Sequence, residues 1–130
     1  MTEKRNKRHG ARDSEMRERQ AKRRLGSEHP ICSICGNDDW RVLELHHIAG
    51  RAYDDRATII VCKNCHAIMG DAQCDHPPAS KEPHSILEII GRFLLGCSDI
   101  CAFVAVQFRQ FGNWLIELAK SFRTEEVQLP

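Results

Sequence analysis

Hydrophobic residues are scarce in the first 28 positions of this 130-residue chain, and no apolar run interrupts the charges there. That scarcity removes the pattern of a secretory leader, so a cytoplasmic protein is expected. Acids are scarce there too. Residues 1–24 carry ten Lys/Arg against four Asp/Glu, a net of +6, while the rest of the chain nets −5. A basic arm on a mildly acidic body points to an anionic partner, DNA first, with Lys22, Arg23 and Arg24 as phosphate-contacting candidates. The plainer alternative is a solvated, partly disordered terminus that binds nothing.

A long uncharged run is also missing. The least charged window, Phe93–Phe108, still contains Asp99. A membrane span needs roughly 20 apolar residues, and a central Asp costs about 3 kcal/mol to insert, so a transmembrane helix is the less favoured reading. A disulfide framework is not indicated either. Four of the seven cysteines stand in metal-type pairs, which suits a reducing compartment. Cys74, Cys97 and Cys101 have no assignable partner and read as small hydrophobes.

Three regions separate by composition, with room for one small domain plus extensions. Residues 1–28 form the basic arm, helical from about Ser14 to Leu25. Residues 29–72 form a compact cysteine-bearing module. Residues 73–84 read as a linker, because its three prolines remove donors and disfavour helix. From 85 to 123 the pattern is helical. Ser85-Ile-Leu-Glu88 is a capping-box signature, and Ile86, Ile90, Phe93, Cys97, Ile100 or Cys101, Val104 and Phe108 continue an apolar stripe at steps of three and four. Two consecutive steps of four near Val104 interrupt the alternation as a coiled-coil stutter would. One long helix is expected, or two broken near Gly96 or Gly112. A module this small cannot cover it, so a homodimer through 85–123 is expected.

The module carries the chemistry. Cys32-Ser-Ile-Cys35 and Cys62-Lys-Asn-Cys65 can close a tetrahedral structural zinc site that pins both ends of the stretch together. Between them, Arg41–His46 reads as a strand and Ala57–Cys62 as a second, leading to a helix that starts near Asn64. Adjacent histidines on a strand point to opposite sides unless the strand ends there. His46, His47 and His66 are surplus to a four-thiolate site, which suggests a second, chemical job. The expected fold class is α+β: a small ββα module with a basic N-terminal arm and a long C-terminal amphipathic helix or helical hairpin.

Cys32-x-x-Cys35, Leu45-His46-His47-Ile48 and Val61-Cys62-x-x-Cys65-His66 resemble the zinc-knuckle branch of the HNH endonuclease family over roughly residues 30–70. The resemblance implies a ββα-metal finger that hydrolyses DNA phosphodiester bonds. It makes His47 the general base, and His46 and His66 ligands of one catalytic divalent cation (Mg²⁺, Mn²⁺, Ni²⁺ or Zn²⁺). Two departures stand out. Ala57 occupies the position of the family's central asparagine, which is expected to weaken activity or shift that role to Asp54, Asp55 or Thr58. Gly50-Arg51 replaces the usual proline, with Arg51 a candidate phosphate clamp. The alternative reading is a catalytically silent zinc finger that binds nucleic acid or protein.

Overall fold

The computed structural model describes residues 2–79, 81 and 84–126; of the expected linker, Ser80, Glu82 and Pro83 lie outside the described residues. The order of elements is helix α1 (Thr2–Leu25), a short 3₁₀ turn (Trp40–Val42), strands β1 (Leu43–His47) and β2 (Thr58–Cys62), helix α2 (Lys63–Cys74) and helix α3 (Ile86–Glu126). The fold is therefore mixed helix and sheet, of the α+β kind.

α1 is longer than the expected Ser14–Leu25 helix. Its surface is laced by i,i+4 pairs, Glu15–Arg19 and Glu18–Lys22, which add a few tenths of a kcal/mol each. Its last turns turn Ala21 and Leu25 inward, one helical turn apart, and Leu25 joins the core of the module. The strands pair antiparallel with Leu43 opposite Cys62 and His47 opposite Thr58. The first strand starts two residues later than the sequence suggests. The Asp39 carboxylate accepts the Arg41 amide at 3.1 Å and its guanidinium at 2.8 and 2.7 Å, which winds Trp40–Val42 into a turn. That guanidinium holds the exposed Asp39 carboxyl down at about 2.

The core is small: Leu25, Leu43, Val61 and Met69 with Cys32, Cys62 and Cys65. Cys65 and Met69 stand one turn apart on α2 and face the sheet. Three cysteines in so short a list explain why hydrophobic burial alone is a thin foundation here.

α3 is one helix, unbroken at Gly96 and Gly112. The Ser85 hydroxyl accepts the Glu88 amide at 3.2 Å and caps its first turn. Its first half docks on the module. A Cβ on Gly96 would lie 1.8 Å from the Ile48 carbonyl oxygen, so only glycine permits this approach. Arg92 donates to the Pro77 and Pro78 carbonyls and lies 4.7 Å over the Tyr53 ring. His76 Nε2 donates to Asp99 at 2.7 Å, and Ile100 and Phe103 pack against the core. Gly96→Ala is expected to destabilise this docking by about 1–3 kcal/mol, because the helix or the Ile48 backbone must shift. A denaturant melt with an unchanged midpoint would contradict the packing.

Candidate metal centre and adjoining histidine cluster

Each cysteine is placed by local backbone chemistry. At the first knuckle the Cys32 amide donates to the Asn37 carbonyl at 2.8 Å and the Gly36 amide to the Cys32 carbonyl at 2.9 Å. Gly36 closes that turn at φ 76°, a left-handed conformation open chiefly to glycine. The Ser33 amide donates to the Ile60 carbonyl at 2.9 Å and ties the knuckle to β2. Cys62 ends β2 in an extended conformation and becomes the N-cap of α2, which brings Cys65 round in its first turn.

The four sulfur atoms converge, all lying within 4.8 Å of one another, and Cys35 and Cys62 approach to 3.7 Å. Zinc–thiolate bonds of about 2.3 Å in a tetrahedron put sulfurs about 3.8 Å apart, so the donor set fits a metal such as zinc. The electrostatics fit as well. Burial pushes the Cys32 thiol up, but backbone N–H donors at Cys35, Cys62 and Ile34 outweigh it and hold it at about 7. Burial, then the neighbouring Cys62, Cys32 and Cys35 sulfurs, push Cys65 far up. One thiol ionises readily and another resists; a cation at the centre would settle both. All seven cysteines are free thiols, so no disulfide competes for them.

His46 and His66 meet beside the first turn of α2. Glu44 and His46 share one face of β1 by strand alternation. His46 is only 3 % exposed, and its ring lies 5.2 Å from that of His66 in the first turn of α2, edge to face. The Nδ1–H of His66 donates to Glu44 at 2.7 Å. A carboxylate only accepts, so this bond fixes the tautomer and leaves Nε2 of His66 with a lone pair. His46 Nδ1 is the one buried side-chain N or O atom without a partner among the described residues. Such an orphan costs about 1–3 kcal/mol unless something binds it. Burial pushes the His46 pKa below the usual imidazole range, helped by His66 and His47 and opposed by Asp99. His46 is therefore a neutral donor at cellular pH.

His47 is half-buried at the end of β1, on the opposite face from His46. Gln73 secures that end. Its amide nitrogen donates to the His47 and Ile48 carbonyls at 3.1 and 3.3 Å and stands 3.4 Å from His46 Nε2. Ala57 contributes backbone only, its carbonyl accepting the Ile48 amide at 3.0 Å.

The structure thus brings together Cys32, Cys35, Cys62 and Cys65, and separately His46 and His66 with His47 beside them. The basic candidates are elsewhere. Lys22 pairs with Glu18 at 2.8 Å, Arg24 reaches the Leu43 carbonyl at 3.5 Å, and Arg23 is exposed. Arg51 is exposed in the hairpin loop, close to Asp54 and Asp55. Arg17, Arg24, Arg41 and Trp40 line a depression between α1 and the 3₁₀ turn, a basic surface that includes one aromatic ring.

Sequence reasoning missed Glu44, Gln73 and the His76–Asp99 pair. Glu44 was findable, since it lies two residues before His46 on the same strand face. Gln73 was findable as the residue two helical turns after His66. His76–Asp99 carried no local signal. No family model, curated protein or solved structure matches this chain.

Proposed function

We propose that this chain is a metal-dependent endonuclease of the HNH kind that hydrolyses DNA phosphodiester bonds, its module stapled by a structural zinc on Cys32, Cys35, Cys62 and Cys65. The observation that carries this reading is the histidine pair: His46 with an orphaned nitrogen, 5.2 Å from a His66 whose lone pair is set by Glu44. A ring pair oriented by a carboxylate is what a metal site needs and what a structural core histidine does not.

His46 and His66 are the residues that would hold a divalent cation. When bound, that ion supplies Lewis-acid polarisation of a phosphate and retains open positions, since only two protein ligands face it. The remaining work belongs to the chain. His47, next to the ligand and half-buried at the end of β1, takes the proton of the attacking water, a role open to a neutral imidazole. Gln73 holds the His47 and Ile48 carbonyls and so fixes the strand end that carries that imidazole. In this reading Gln73 takes over loop-fixing that Ala57, with only a methyl group, cannot perform. Asp54 is the second support, its carboxylate accepting the Arg56 amide at 2.9 Å at the far end of the loop. The α1 surface with Arg17, Arg24 and Trp40 supplies sequence-independent contact with the DNA backbone.

Supercoiled plasmid is the substrate that tests this, through divalent-cation-dependent nicking. Gln73→Ala is expected to slow nicking about 10–100-fold while the protein stays folded with its zinc content at the wild-type value. Equal rates in Gln73→Ala and wild type would remove its positioning role. A silent zinc finger is the competing reading, favoured by Ala57. It predicts a single tightly held ion, whereas a nuclease centre adds a second, weaker ion that His66→Ala removes.

A further inference from the structure

α3 presents two faces, and only one is used. The docked line runs through Arg92, Gly96, Asp99 and Phe103, and Phe103 is the last residue of the helix that packs on the core. Roughly 130° round the helix, at 3.6 residues per turn, a second line begins with Ile86, Ile90 and Leu94 and passes through Cys97 and Cys101. Past the module it becomes a strict alternation of fours and threes through Phe108, Phe111, Leu115, Leu118 and Phe122. The charged residues from Phe108 to Arg123, namely Arg109, Glu117, Lys120 and Arg123, all fall on the opposite side, at the outer positions of a heptad. From Phe108 to Phe122 the seam itself carries no charge.

That seam is bare. Phe108, Phe111 and Phe122 are 73 %, 58 % and 59 % exposed, and Ile86, Ile90, Leu94 and Leu115 are exposed with them. The three phenylalanines alone leave roughly 400 Å² uncovered. With the four aliphatic residues the seam offers on the order of 800 Å² per copy, which matches what each partner gives to a standard stable interface.

We propose that the seam of α3 pairs with the same seam on a second copy of this chain. An uncharged stripe is self-complementary across a two-fold axis, and this one asks for no counter-charge from its partner. A bilayer is the competing occupant, since α3 is long and apolar enough to cross one by length and composition. The geometry disfavours it. The most apolar stretch of α3 is the one docked on the module through Arg92 and Asp99, so spanning there would carry the module into lipid. Beyond Phe103 the four distal charges fall within twenty residues, about the length of one span. The pairing does not depend on the nuclease reading.

Sedimentation equilibrium of the full chain over a micromolar concentration series tests it. Wild type is expected at twice 14.9 kDa. Phe111→Glu with Leu115→Glu is expected to raise the dissociation constant by ~100-fold or more and give a monomer with unchanged metal content. Both positions lie past the docked half, so the module folds regardless. A wild type that stays monomeric overturns the pairing. So does a dimer that survives the double glutamate variant, or a monomer that co-sediments with phosphatidylcholine–phosphatidylserine vesicles.

Discussion

Cys65→Ser is expected to unfold the module and leave α3 without its docking surface. Cys65 is at once a core residue, a member of the four-sulfur cluster and part of the first turn of α2. Removing its sulfur leaves three donors for a tetrahedral ion. Structural zinc is worth about 10–16 kcal/mol to small domains at neutral pH, far more than the remaining apolar core can replace. A chelator should act in the same way on wild type. Its effect should grow as pH falls, because protons compete with the metal for the four thiolates. Metal content by mass spectrometry, read beside thermal melts, checks this. Apo-protein and Cys65→Ser melting at the wild-type midpoint would show that the thiols are not the staple.

The second large effect belongs to His47. His47→Ala is expected to lower plasmid nicking by about 10²–10⁴-fold, the range a general base contributes. The stability cost should be slight. His47 is half-buried, its side chain has no assigned role in the core, and its carbonyl bond to Gln73 survives the substitution. Binding of both ions should also survive, because His46 and His66 are untouched. His66→Ala should separate from it: nicking falls, but the weaker ion is lost as well. Loss of activity in His47→Ala accompanied by loss of fold would point to a structural histidine instead.

The parts legible in the sequence were the parts with local causes. Cys-x-x-Cys spacing predicts a knuckle because two sulfurs three residues apart fit one turn. The β-branched run into Cys62 predicts a strand that hands over to a helix, and the capping signature at Ser85–Glu88 marks the start of α3. What could not be read depends on docking. Nothing near Gly96 announces that Ile48 will lie against it. His76 and Asp99 meet only because α3 docks back on the module. Arg41 shows the smaller kind of miss: an alternating pattern suggested strand, and one carboxylate at Asp39 was enough to wind it into a turn. Glu44 lay between these cases. Its strand face was readable, but its partner His66 comes within reach only once the hairpin closes on α2.

Supercoiled plasmid incubated with purified wild-type protein and a panel of Mg²⁺, Mn²⁺, Ni²⁺ and Zn²⁺ is the most direct measurement of whether this module cuts DNA. Nicked product is expected with at least one of these ions, absent with chelator and absent in His47→Ala at equal metal content. A folded, zinc-loaded wild type that cuts neither double- nor single-stranded DNA with any of the four would contradict the nuclease assignment and leave the silent zinc finger in its place.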